Sequence, residues 1–235
     1  VTKDNLQRAY HTVGGVEFDV TKHLDLTVES YYKYFGQLIN LNRNKQYPTD
    51  PDFQIETGNA YGVDVLFKYD FNNLYIWTGY SLGFIHRNNG EQIYPPHYDR
   101  RHNANVVVSY TFGKNKQWQA DARWNLGSGF PFTRTQGFYE FFDFLDGINT
   151  NYVNGNGQLG IIYDSTLNAG RLPFYHRLDI SLKRVFKLSE NSVLEANASI
   201  INVYNRKNIF YFDRVRYQRV NQLPILPSIG VNLTF

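Results

Sequence analysis

Apolar and polar positions alternate with a period of two along most of the chain. Val16, Phe18 and Val20 alternate with Glu17 and Asp19. Beyond Thr21-Lys22-His23, Leu24, Leu26, Val28, Tyr32 and Tyr34 alternate with Asp25, Thr27, Glu29 and Lys33. Tyr61, Val63, Val65, Phe67, Tyr69 and Phe71 form a third stripe, interleaved with Asp64, Lys68 and Asp70. Asn72-Asn73 then reads as a hairpin turn, and Leu74, Ile76, Tyr80, Leu82 and Phe84 share a face beyond it. Similar stripes follow in Ala104–Phe112, Trp118–Leu126, Leu178–Leu182, Leu194–Ile200 and Ile229–Phe235. The pattern predicts about nine strands, most near the ~9–11 residues that cross a bilayer at a tilt.

The connections alternate in length. Short turns fall near 21–23, 72–73, 113–117 and 187–192, and long segments span 37–57, 86–101, 128–173 and 206–226. Transmembrane β-barrels sort their connections this way, with short periplasmic turns and long extracellular loops. A soluble β-sandwich has no reason to sort loop length by end. The reading is therefore all-β: an antiparallel transmembrane β-barrel segment, with residues 1–235 forming part of one barrel domain.

Composition narrows the alternatives. Aromatics make up 17% of residues, with 19 Tyr and 18 Phe, and mean hydropathy is −0.47. No apolar run reaches the ~18 residues of a membrane helix. A polar average with many aromatics suits strands with one face in lipid and the other in a wet lumen, and also a Tyr-rich secreted sandwich. A net charge of +3 is too small to imply nucleic acid as a partner. There is no Cys, so disulfide frameworks and Cys-based metal sites are excluded. There is no Met either, which reads as a processed or excised piece. Nine strands are odd in number and leave two open edges, so further strands are expected upstream or in another chain. Val1–Ala9 reads as the end of an extracellular loop.

The final run, Ser228-Ile-Gly230-Val-Asn-Leu233-Thr-Phe235, resembles the C-terminal assembly signal of outer-membrane proteins. Pro96-His-Tyr-Asp99-Arg-Arg-His102-Asn, Pro173-Phe-Tyr-His176-Arg177-Leu-Asp179 and Ile201-Asn202-Val-Tyr-Asn205-Arg-Lys-Asn208 resemble stretches of the C-terminal half of TonB-dependent outer-membrane receptors. The resemblance implies the C-terminal part of a 22-stranded barrel with a plugged lumen in the outer membrane of a Gram-negative bacterium. It implies an active importer energised through TonB, for a scarce solute such as a metal chelate, cobalamin, glycan or peptide. Its partners would be outer-membrane lipid, the remaining strands and plug, TonB through an N-terminal region lying outside this sequence, the barrel assembly machinery, and in some receptors a surface lipoprotein. The alternative is a passive porin or another barrel without a plug.

Candidate chemistry is sparse. Selectivity in a rigid barrel belongs to its loops. The substrate-binding candidates are Arg134, Tyr139, Phe141 and Phe142 in the longest loop, with Arg87 and Tyr94 in the loop before it. Segment 137–146 reads as a short helix or a folded lid. Ser228, Gly230, Leu233 and Phe235 carry the assembly signal. His86, His97, His102 and His176 lack metal-ligand spacing. The rings of His102 and His176 are expected to bridge loop and strand backbones, and Asn202, Asn205 and Asn208 to hydrogen-bond backbone where a strand ends. Ser128 between Gly127 and Gly129 has no assigned His or acid, and the glycines read as a bend into the loop. No enzyme activity, cofactor or metal is expected. Tyr34, Tyr69, Tyr110, Trp118 and Phe235 should sit near strand ends, in interfacial belts.

Overall fold

The computed structural model of the chain describes residues 6–42, 45, 47–141 and 158–235. In chain order the strands are β1 (Ala9–Thr21), β2 (Leu24–Leu41), β3 (Phe53–Phe71), β4 (Leu74–Asn88), β5 (Ile93–Tyr94), β6 (His102–Phe112), β7 (Trp118–Gly127) and β8 (Pro131–Phe132). They continue with β9 (Thr135–Phe141), β10 (Gln158–Tyr163), β11 (Gly170–Arg171), β12 (Tyr175–Lys187), β13 (Val193–Ile201), β14 (Ile209–Asp213), β15 (Gln218–Asn221) and β16 (Leu226–Thr234). The described residues contain no helix.

Nine of these strands form one antiparallel wall in the order β1-β2-β3-β4-β6-β7-β12-β13-β16, with β5 added beside β4. Neighbours in sequence are neighbours in space, except where the small loop strands intervene. The tight turns fall where the sequence places them. At Asn72-Asn73 the first residue takes φ of 55°, as a two-residue hairpin asks of an Asn.

The register confirms the parity of the stripes. Phe67, Thr78, Val106, Trp124 and Leu178 lie in one cross-strand row, and Tyr69, Ile76, Val108, Ala122 and Ile180 in the next row of the same face. The intervening row, Lys68, Trp77, Val107, Arg123 and Asp179, belongs to the other face. That face is polar and internally bonded. Asp121 accepts from Ser109 at 2.6 Å, from Gln119 at 2.8 Å and from Ser181 at 3.1 Å, and Ser199 meets Ser228 at 2.6 Å. Lys68 stands 3.9 Å from Asp25.

Among the described residues no second layer covers the apolar face. Among the described residues only Ala60 and Tyr94 are buried hydrophobics, while Ile180, Leu182, Val231 and many others stand exposed. The accessible surface is 16895 Å². A compact soluble protein of 27.5 kDa would expose about 11,000 Å². An excess of this kind goes with a single-layer wall that leaves its apolar side exposed.

Three expectations about the wall are corrected. The segment 37–57 is not a long loop, because β2 runs to Leu41 and β3 begins at Phe53. A β-bulge between Phe35 and Leu38 lets the ladder continue through Leu38↔Glu56 to Leu41↔Phe53. Tyr34 therefore lies within a strand and not near its end. The described part of 137–146 is strand, not helix, since β9 pairs with β10 through Phe138↔Ile161 and Glu140↔Leu159.

Candidate functional site

The long connections fold into small ladders that dock on one another. Gly129 starts the first: a Cβ there would fall 1.5 Å from the Leu172 carbonyl oxygen, so only glycine allows the two backbones to approach. Phe130 then accepts from the Leu172 amide at 3.0 Å, and β8 pairs with β11. Arg171 anchors this base, bonding the Asp99 carboxylate and donating to the carbonyls of Asp99 and Gly129, both at 3.1 Å. Asp99 is buried, and its other oxygen accepts from the Ile85 amide at 3.2 Å. Gln92 and Asn168 tie the neighbouring loop to the same base through Ser165, Leu167 and Pro95.

The β14–β15 hairpin approaches from the last connection. Arg214 donates to Thr135 Oγ1 at 2.6 Å, and its guanidinium stands 5.1 Å from the Tyr163 ring and 5.8 Å from that of Phe132. Phe212 meets Phe132 at 6.4 Å and Tyr217 meets Phe138 at 5.7 Å, centroid to centroid. Between them opens a cleft of about 780 Å³ lined by Phe132, Arg134, Phe138, Phe210, Phe212 and Arg214. Mostly apolar walls with a few convergent polar groups are the usual make-up of a ligand site of this size. The Asp213 carboxylate is turned toward Arg216, 3.9 Å away, and Arg214 forms no ion pair among the described residues. The cleft thus offers aromatic faces and guanidinium groups, a combination suited to anionic or ring-bearing ligands.

Of the residues singled out from sequence, Arg134 lines this cleft. Tyr139 lies on the other side of β9, its ring over Gly160, where a Cβ would come within 2.2 Å of it. Phe141 ends β9 opposite Gln158, and Phe142 lies outside the described residues. Arg87 and Tyr94 are brought together elsewhere, around the buried carboxylate of Glu56. Arg87 Nε stands 2.7 Å from Glu56, and the Tyr94 hydroxyl is 2.8 Å from the same carboxylate. Asn40 and Gln54 donate to it as well, at 2.8 and 3.1 Å. Burial, then the neighbouring Glu56, pushes the Tyr94 hydroxyl up to about 12.

Phe138 belongs to the aromatic segment 137–146 noted in the sequence, whereas Phe132, Phe210, Phe212, Arg214 and Tyr217 were passed over. The one local signal was the aromatic run Phe210-Tyr211-Phe212 in the last connection.

The histidines behave differently from expectation. The ring of His102 meets the Tyr80 hydroxyl at 2.8 Å, and that of His176 meets the Tyr204 hydroxyl at 2.8 Å. The backbone bridging expected of these rings is done by neighbours. Ser128 Oγ accepts from the His102 amide at 3.1 Å, and the Asn208 side chain both accepts from and donates to the His176 backbone. Asn202, Asn205 and Asn208 do hydrogen-bond backbone at this end: Asn202 bridges the Arg206 amide and the carbonyls of Arg206 and Leu223, and Asn205 accepts from Ile225. Gly127 also has a packing role, since a Cβ there would strike the Arg100 guanidinium at 2.5 Å. At the chain end, Ser228 pairs with Ser199, Gly230 with Asn197 and Leu233 with Leu194, and Phe235 projects past the last strand, 92% exposed.

No family model matches the sequence, and no curated protein matches it. Among solved structures, the chain is similar to the ferripyoverdine receptor of the outer membrane of Pseudomonas aeruginosa, whose crystal structure holds bound ferripyoverdine. The identity is 10% and the TM-score 0.60, over 96% of this chain and 26% of that chain. The chain thus spans about a quarter of that receptor's length. At this identity the likeness is one of fold: the nine-stranded wall is built like a section of an outer-membrane β-barrel.

Proposed function

We propose that the chain forms part of the wall and mouth of an outer-membrane importer energised through TonB. The observation that carries this reading is the pairing of an uncovered apolar wall with a folded, aromatic- and arginine-lined cleft at its long-connection end. The apolar side faces lipid in the outer membrane, and the polar side faces a plug and water. The cargo is a scarce solute such as a metal chelate, cobalamin, glycan or peptide. Arg134, Phe132, Phe138, Phe212 and Arg214 contact it, with Tyr139, Phe141 and Phe142 extending the same loop. Arg87 and Tyr94 act indirectly, by fixing β5 to the wall. Ser228, Gly230, Leu233 and Phe235 are read by the barrel assembly machinery, and a surface lipoprotein is a further partner in the same scheme.

The test uses cells carrying the natural protein, with and without TonB. Uptake of labelled ferric chelates, cobalamin and oligosaccharides is compared with a strain lacking the gene. One of these probes should enter only when both proteins are present. Arg214→Gln and Phe212→Ala should weaken its binding without changing heat-modifiability on a gel. Uptake that simply follows external concentration and ignores TonB would mark the protein as a passive pore.

A further inference from the structure

Arg184 lies on the apolar face. It shares a cross-strand row with Phe112, Trp118, Ala196 and Val231, while Glu195 and Lys183 belong to the opposite parity. Its guanidinium stands 4.7 Å from the Trp118 ring and 4.4 Å from that of Phe186. Its Nε is shielded and has no hydrogen-bond partner, and no carboxylate pairs with it among the described residues. The other unpaired cation of note, Arg100, differs in kind, since it packs against Gly127 on the polar side.

Position makes Arg184 tolerable. It lies four residues before the turn at 188–192, beside the turn at 113–117 that carries Lys114 and Lys116. An arginine at the middle of a lipid-facing strand costs about 2–4 kcal/mol, but close to nothing at the interface. There its stem lies along apolar surface and its head reaches the polar boundary. Trp118 is the ring type that prefers this depth. Two aromatic rings fix the guanidinium, leaving its Nη edge to bind a phosphate in the geometry arginine favours.

We infer that Arg184, held by Trp118 and Phe186, is a binding site for the phosphate of a membrane glycerophospholipid at the short-turn end of the wall. The inference rests on the lipid-facing reading of the apolar side. No partner for this cation comes from the described protein, so its anion comes from the medium that covers the face. Lys114, Lys116 and Lys187 add positive charge nearby.

The natural protein, purified and stripped of lipid, would be titrated with dioleoyl phosphatidylglycerol, with dioleoylglycerol, which lacks phosphate, and with inorganic phosphate. Adducts are counted by native mass spectrometry. Arg184→Gln should retain about fivefold less phosphatidylglycerol, equivalent to ~1 kcal/mol for one basic residue at an anionic surface. Dioleoylglycerol retention should not change. Equal phosphatidylglycerol retention by both proteins overturns the site, and so does displacement of the lipid by inorganic phosphate. Should the Gln variant fail to fold, Arg184→Lys is read instead: a fall in retention supports the stacked guanidinium, and no change overturns it. A second measurement separates this inference from the reading beneath it. With Trp77→Phe and Trp124→Phe, Trp118 is the one tryptophan left in these 235 residues, and its signal is taken as the difference from the same protein carrying Trp118→Phe as well. Quenching of Trp118 by brominated-tail lipid shows that the face lies in the membrane. Strong quenching with equal retention sinks the phosphate site alone, and no quenching sinks both.

Discussion

The Tyr94 hydroxyl stands 2.8 and 2.9 Å from the two oxygens of Glu56, a carboxylate only 1% exposed. This contact ties the two-residue strand β5 to the centre of the β3 extension. Burial and the Glu56 charge raise the folded-state value of Tyr94 to about 12 from an ordinary 10. The folded state therefore holds the proton more tightly than the unfolded one. The contribution is fully present below pH ~10 and is lost as pH rises through about 12. Thermal midpoints of the protein and of Tyr94→Phe should differ by a constant amount up to pH ~10 and converge above it. The phenylalanine variant itself should cost about 1–3 kcal/mol, the penalty for under-satisfying a buried acceptor. A difference that persists unchanged to pH 12 would refute this account.

The two faces of the wall should respond oppositely to charge. Ala122 is in the apolar row and Arg123 in the polar one. Ala122→Arg should cost about 2–4 kcal/mol in urea unfolding from lipid vesicles, while Arg123→Ala should stay within about 0.5 kcal/mol. Equal costs would contradict the assignment of faces.

Gly129→Ala should open the loop base without disturbing the wall. The added carbon has nowhere to go, because the Leu172 carbonyl is backbone and cannot rotate away. Limited proteolysis should nick the 128–173 connection several times faster than in the natural protein, and the Arg171–Asp99 contact should be lost with it. The unfolding midpoint of the barrel should hold. An unchanged cleavage rate would mean that the connection tolerates a different path.

Removing Phe235 separates recognition from stability. At 92% exposure its side chain adds almost nothing to the described fold. If the terminal aromatic serves assembly, the yield of heat-modifiable protein should fall while the melting temperature of the folded fraction stays the same. A lower melting temperature at normal yield would assign Phe235 a packing role instead.

The wall was legible in the sequence because each of its faces meets one kind of surroundings. Val106, Val108, Leu178 and Ile180 needed only a period of two to be assigned, and the register agrees. The extension of β2 to Leu41 was hidden by the bulge between Phe35 and Leu38, which breaks the alternation that had marked the strand. Glu56 misled for a related reason: a charge read as loop is here a buried hub. The cleft was the least legible part. Strands of two to seven residues such as β8, β9 and β14 are too short to carry a period. What assembles them is contact across distance, as when Arg214 reaches Thr135, 79 residues earlier. Arg134 was found because it sits beside aromatics in the sequence, whereas Phe212 and Arg214 join the site only through the fold.

The β2–β3 hairpin holds a last consequence. β3 has 19 residues, and crossing a bilayer uses only ~9–11 of them. If the wall spans the outer membrane as proposed, about eight residues, or ~27 Å measured along the strand at ~3.4 Å each, stand clear of it as hydrogen-bonded ladder. On the proposed outer-membrane reading, anything that approaches the cell on that side, whether antibody, phage or protease, would meet a stiff parapet with fixed topography. An immune epitope there would be conformational, lost on boiling, and proteolytic cutting would be confined to the connection between Leu41 and Phe53.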